Sequence, residues 1–506
     1  MRKAKAVAAL VSLALPGSLT AASSAAAQSR PAFTPEPLVW GACENPVLVR
    51  AGARCAFIAV PLDHARPDGE KIRLAVSRKD HVGPDAEYRG PMVVNPGGPG
   101  VSGLVHSTVG GLVPDGGGDD YDWIGFDPRG VGSSRPSLSC VPDFHGYNRP
   151  AYVPLTPTLE RTWRDRSERY AQACARSAGK LLDHMTTRDL AMDLEIIRRA
   201  LGAERISFYG FSYGTYLGQV YATLHPNRLD RVVFDGNVDP TRVWYRSNID
   251  QSLGFDHNID VYFDWIAKHH AVYGLGDTGR EVEALYRTHL VRLRAEPAGG
   301  RIGPAELTDV FLGAAYGVHQ WPAVTDAFAA YVRGADAQPL IDLYGAPPFT
   351  DNAHAAYLAV VCTDAPWPRD FDRYRRDMWT TFVRAPFAAW QNGWYNAPCT
   401  SWPARSRGPV AVDGRGVGGI LLVNETFDAA TPFSGALEVR DRFPGAVLVE
   451  GAGGTTHASS LSGGACVDAL VARYLKTGEL PARRPGKRAD VRCDPLPQPT
   501  PTGADS

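Results

Sequence analysis

Ile206-Ser207-Phe208-Tyr209-Gly210-Phe211-Ser212-Tyr213-Gly214-Thr215-Tyr216-Leu217-Gly218 is the stretch on which the fold turns. Its first half is an apolar run without polar alternation, as in a strand buried on both faces. Its second half opens a helical pattern over residues 215–224. At the junction, Gly210-Phe211-Ser212-Tyr213-Gly214 fits G-x-S-x-G, a strand turning sharply into a helix. Such a turn forces strained backbone on the serine, and the flanking glycines remove Cβ atoms that would clash. Ser212 Oγ is thereby presented at the sheet edge, with a helix N-terminus behind it to favour developing negative charge. A pentapeptide of this kind arises by chance in a chain with 52 glycines; its flanks make it specific.

A nucleophilic serine needs a base, and the base an orienting acid, in the chain order Ser, Asp or Glu, His. Of thirteen histidines, only His457 lies beyond the last two strand runs, Ile420-Leu421-Leu422-Val423-Asn424 and Ala446-Val447-Leu448-Val449-Glu450. It sits in a loop of small residues, Gly453-Gly454-Thr455-Thr456-His457-Ala458-Ser459. The acid should follow the preceding strand. Phe427-Asp428-Ala429-Ala430-Thr431-Pro432 supplies Asp428, with Glu425 and Asp235 as alternatives. An oxyanion hole needs backbone N–H groups where acyl charge develops. Tyr213, after the nucleophile, offers one; the loop Asn95-Pro96-Gly97-Gly98-Pro99-Gly100 is placed to offer the other.

Further strand runs, Met92-Val93-Val94-Asn95, Trp123-Ile124-Gly125-Phe126-Asp127 and Arg231-Val232-Val233-Phe234-Asp235, complete a strand–helix alternation. Between them Leu190, Leu194, Ile197 and Leu201 recur at helical spacing, with Thr187 as the expected cap and Gly202 as the stop. This pattern predicts an α/β architecture, mostly parallel, with helices on both faces. Across residues 242–405 the strand signal disappears, and eight of the eleven tryptophans fall there. This segment reads as a helical cap inserted between the sheet-forming parts, 28–241 and 406–494. The Pro-rich tail, 495–506, is expected to be disordered. Gly414-Arg415-Gly416-Val417-Gly418-Gly419 satisfies G-x-G-x-x-G but precedes a strand, so the dinucleotide reading fails. Asp127-Pro128-Arg129-Gly130 reads as a turn held by a paired Asp and Arg.

The chain has 506 residues, 44% hydrophobic and 21% charged, with 53 Lys+Arg against 54 Asp+Glu. That composition buries a core and excludes wholesale disorder. The balance lacks the concentrated positive field of a nucleic-acid or polybasic membrane binder. Residues 1–27 read as a secretory leader: Arg2, Lys3 and Lys5, an apolar run, then Ala25-Ala26-Ala27. The run is too short to span a bilayer, so no membrane anchor is expected. Losing those three cations leaves 50 basic against 54 acidic residues, a formal charge of −4. Export gives the eight cysteines a structural role. Eight allow 105 connectivities; neighbour pairing would give Cys43–Cys55, Cys140–Cys174, Cys362–Cys399 and Cys466–Cys493.

Together, Asn95 to Gly100, Gly125-Phe126-Asp127-Pro128-Arg129-Gly130-Val131-Gly132-Ser133-Ser134 and the elbow resemble the secreted tripeptidyl aminopeptidases. These are α/β-hydrolase serine exopeptidases related to prolyl aminopeptidases. The likeness extends from Trp40, Cys43, Cys55 and Val60-Pro61-Leu62-Asp63 to Thr431-Pro432, Cys466, Tyr474, Gly478, Pro481 and Cys493. It implies Ser212, Asp428 and His457 as a triad, and Gly98 and Tyr213 as the oxyanion N–H groups. Where the family carries Gly-His-Gly, Thr456 and Ala458 flank His457 here, which bears on the leaving-group side. An aminopeptidase must hold a free amine, and Cys362-Thr363-Asp364 matches the family's Asp near a cap cysteine. Asp364 is thus either the amine's partner or a brace for the cap. Three functions are compatible with the sequence: a secreted aminopeptidase releasing tripeptide-type fragments, an esterase or amidase on small esters or natural products, and an inactive binding protein. The intact triad disfavours the last. The substrate is a peptide or small acyl compound, and neither a metal nor an organic cofactor is needed.

Overall fold

The computed structural model describes residues 33–345 and 350–502; the leader read at 1–27 lies outside them. Ten strands form one sheet: β1 (Gly41–Ala42), β2 (Arg54–Pro61), β3 (Lys71–Lys79), β4 (Pro91–Asn95), β5 (Asp122–Phe126), β6 (Ile206–Phe211), β7 (Leu229–Asp235), β8 (Ile420–Glu425), β9 (Ala446–Gly451) and β10 (Val491–Cys493). Their spatial order is β1-β2-β3-β5-β4-β6-β7-β8-β9-β10. The first three pair antiparallel, and every pairing from β5 onward is parallel. The chain is an α/β-hydrolase fold, a mostly parallel sheet with helices on both faces.

The continuous apolar runs have a direct cause: each strand feeds two cores. Val93, Ile124, Phe208, Val232 and Leu422 pack on one face with Leu190, Leu194 and Ile197 of the helix Thr187–Ala200. Met92, Val94, Tyr209, Val233 and Leu421 pack on the other with Val467, Val471 and Leu475 of the helix Ala465–Thr477. The first of these helices starts one residue earlier than its sequence suggests. Thr186, not Thr187, is the N-cap, exchanging hydrogen bonds with Asp189. Thr187 is engaged elsewhere, as shown below.

Between β7 and β8 the described residues are helical. Helices Tyr245–Lys268, Gly279–Arg292, Pro304–Tyr316, Trp321–Gly334 and Gln338–Gly345 enclose a separate aromatic core. The later part, including Trp390 and Trp394, merges with the main core. It also recruits the helix Pro157–Ala178, where Trp163 stacks on Trp394 at 5.8 Å. The helical layer therefore draws on a stretch ahead of the elbow as well as on residues 242–405. Four disulfides join Cys43–Cys55, Cys140–Cys174, Cys362–Cys399 and Cys466–Cys493. Closing loops of 12 to 37 residues, they each stabilise the fold by on the order of 3 kcal/mol.

The Pro-rich tail is not the free end its composition suggests. Leu496 is buried in the aromatic core, and its N–H donates to Glu425 Oε1 at 3.0 Å. Trp265 Nε1 donates to Pro499 O at 3.0 Å. Proline removes donors but leaves carbonyls, so such a segment is held wherever the body supplies N–H groups.

Candidate active site

The C-terminal ends of β4, β6, β7, β8 and β9 meet at one edge of the sheet, where ligands bind in open α/β folds. Ser212 follows β6 with φ 54° and ψ −125°, outside the helical region, and the helix Tyr213–Leu224 begins directly behind it. Its N–H donates to Asp235 O at 2.9 Å, which ties the turn to the end of β7. The loop after β4 lies against this turn. Gly97 has φ +95°, and a Cβ there would stand 2.6 Å from Phe211 O and 2.9 Å from Tyr213 N. A Cβ on Gly214 would stand 2.3 Å from Asn95 O. Glycine at both positions is what allows the two backbones to touch. Among the described residues, the N–H groups of Gly98 and Tyr213 have no acceptor within the protein. Tyr213 is the first residue of its helix, so its N–H is one of those a helix leaves unpaired.

His457 is partly buried after β9, and its Nδ1 lies 2.8 Å from Asp428 Oδ2 and 3.0 Å from Oδ1. A carboxylate only accepts, so Nδ1 carries the proton and Nε2 keeps its lone pair. Asp428 is held in turn by Thr431, whose N–H and hydroxyl donate to it at 2.9 and 2.7 Å. Burial alone would push the His457 pKa down, but the Asp428 carboxylate outweighs it and the net shift is upward. The imidazole rests over Gly236, where a Cβ would come within 2.8 Å of Cε1. Gly236 adjoins Asp235, whose carbonyl receives the Ser212 N–H, so serine and histidine share one stretch of backbone.

The two alternative acids surround this pair without replacing Asp428. Glu425, the last residue of β8, is buried, and its carboxylate accepts from Thr456 N in the histidine loop and Leu496 N in the tail. Burial raises its pKa to about 7. Asp235 accepts from the N–H and hydroxyl of Ser460, and burial raises it to about 6. Both brace the loop that carries His457. Neither contact has a local sequence signal, because each joins segments far apart in the chain.

Asp364 is placed as a brace between the helix Thr187–Ala200 and Trp244. It is 3% exposed. Its oxygens accept from Thr187 N at 2.6 Å, from the Thr187 hydroxyl and from Trp244 Nε1 at 3.1 Å. Thr187 Oγ1 also meets Tyr213 OH at 2.8 Å. Three donors thus fill most of the acceptor sites of this carboxylate. Asp127 and Arg129 do hold loops, but not by pairing with each other. Asp127 receives Ser102, Gly103 and Ser133, whereas the buried Arg129 forks onto Asp193 at 2.7 Å. A cavity of about 440 Å³ lies within the cap, between Asp256, Phe263, Tyr286 and Trp390, and includes none of the triad residues.

Residues 90–296 match a family model described as alpha/beta hydrolase fold, and residues 385–493 one described as TAP-like protein. A tripeptidyl aminopeptidase of Streptomyces lividans is 39% identical over 464 residues, covering 88% of this chain and 85% of its own. The serine protease Hip1 of Mycobacterium tuberculosis is 31% identical, covering 94% and 95%. A carboxylesterase B of the same organism is 29% identical, covering 88% and 86%.

Proposed function

The chain belongs to the tripeptidyl aminopeptidase family of α/β-hydrolases, and from that premise we propose a secreted serine aminopeptidase that releases tripeptide-type fragments from free N-termini. The observation that carries the reading is the Asp428–His457 pair set over the backbone that anchors Ser212. In the proposed reaction His457 Nε2 takes the Ser212 hydroxyl proton as Oγ attacks the acyl carbonyl. The oxyanion faces the N–H groups of Gly98 and Tyr213. His457 then gives its proton to the leaving amine as the C–N bond breaks, and a water deprotonated by the same nitrogen frees the acyl fragment.

Export rests on the leader at residues 1–27 and on four disulfides, which persist in oxidising surroundings. Among the described residues no helix is long and apolar enough to cross a membrane. Hydrolysis of small esters is the second reading, favoured by the occupied carboxylate of Asp364 and by the carboxylesterase relative.

Matched tripeptidyl p-nitroanilides with free and N-acetylated ends separate the two. The aminopeptidase hydrolyses only the free form, and equal rates on both would sink it. Ser212→Ala should cut turnover by at least about 10⁴-fold with an unchanged melting curve. A variant that retains turnover would remove Ser212 from the nucleophile's place.

A further inference from the structure

We propose that Tyr316 forms the wall of the leaving-group subsite and that Thr456 is the positioning residue that holds it there. The enzyme then prefers an aromatic or bulky apolar group on the departing side of the scissile bond. This rests on the reading of Ser212 and His457 given above.

Tyr316 ends the helix Pro304–Tyr316 of the cap, and the residue is 41% exposed. The phenol ring stands edge-on to the His457 imidazole, with centroids 5.9 Å apart. Phe255 backs it at 4.7 Å, so the ring is supported on one side and open on another. The nitrogen that departs must lie within reach of His457 Nε2 to collect its proton. Whatever that nitrogen carries is thereby brought toward Tyr316, whose ring meets the His457 imidazole. Ring-to-ring contact of this type favours aromatic partners by about tenfold.

The wall is tied to the base loop by its own backbone. His457 N donates to Tyr316 O at 2.8 Å, and Val318 N donates to Thr456 Oγ1 at 3.4 Å. The Thr456 methyl packs on Gly317, where a Cβ would stand 2.9 Å from Cγ2. Asn258 closes the clasp by donating to both Ala315 O and Thr455 O, at 3.1 and 3.0 Å. These hydrogen bonds thus tie the cap to the histidine loop, and the threonine beside His457 has a definite task in that join.

The test compares kcat/KM for one tripeptidyl acyl part followed by Phe or by Gly, and for the benzyl and methyl esters of the same acyl part. Acylation includes loss of the leaving group, so kcat/KM reads the subsite. Wild type should favour Phe over Gly and benzyl over methyl by about tenfold. Tyr316→Ala should bring both ratios near one, and Tyr316→Phe should keep them. Thr456→Gly should lower both ratios, and Thr456→Ser, which retains the hydroxyl, should restore them. Wild-type ratios near one overturn the proposal, as does a Tyr316→Ala variant that slows all four substrates equally. Cleavage of esters without peptides would instead refute the peptidase reading, and the benzyl-to-methyl ratio would still decide for or against the wall.

Discussion

At the scale of single residues, the site is a set of carboxylates given different tasks by their surroundings. Asp428 faces His457, whereas Glu425 and Asp235 hold backbone and are pushed toward the neutral form by burial. The consequence for pH follows from His457. Its folded pKa lies above the ordinary imidazole value of about 6.5, because Asp428 outweighs burial. As the proposed base, His457 works only when neutral, so kcat/KM should rise with pH through a value above 6.5. Asp428→Asn removes the upward influence and leaves burial, which moves the acid limb to lower pH. It should also lower kcat by about 10⁴-fold, through the wrong tautomer. A pH–rate profile of both proteins checks this, and an unmoved limb would detach Asp428 from the base. The sharp turn at Ser212 and the pairing of His457 with Asp428 were legible in the sequence because each residue sits in a loop with a local signal. The task of Asp364 was not, since its partners Thr187 and Trp244 are remote in the chain.

At the scale of elements, the parallel strands were legible because burial on two faces writes an unbroken apolar run. The antiparallel β2 and β3 were harder to see. Arg54, Lys71, Arg73, Arg78 and Lys79 interrupt their apolar pattern, and Lys71 and Arg73 of β3 are exposed. The helix Pro157–Ala178 escaped assignment to the cap because its packing on Trp394 is a contact between distant segments. The loop after β4 carries the strongest element-level prediction. Gly97→Ala adds a Cβ 2.6 Å from Phe211 O at a φ of +95°. The loop must then retreat from the elbow, which displaces the Gly98 N–H from its proposed oxyanion-binding position. Losing one such donor costs about 10²–10³-fold in kcat. Substrate turnover and thermal denaturation, measured together, should show activity falling far more than stability.

At the scale of the whole molecule, one sheet carries the chemistry and a helical layer roofs it, with the tail joining the two. Leu496 and Pro499 reach from β10 to Glu425 and Trp265, so this segment bears on both the histidine loop and the cap. Composition hid this, because a Pro-rich segment looks the same whether or not acceptor carbonyls meet donors on the body. Ending the chain at Asp494 should cost about 2 kcal/mol for the burial of Leu496 and about 1–3 kcal/mol for the orphaned indole N–H. Urea denaturation with the disulfides intact should show the lower midpoint, and an unchanged midpoint would mean the tail is only laid on the surface. The central claim is sequential removal of short fragments from a free N-terminus by a serine acyl-enzyme. It is tested most directly by the masses of the products from one long peptide supplied with a free and with an acetylated end. The account predicts fragments of three residues leaving in order from the free peptide and nothing from the acetylated one. Internal fragments, or equal digestion of both, would contradict it.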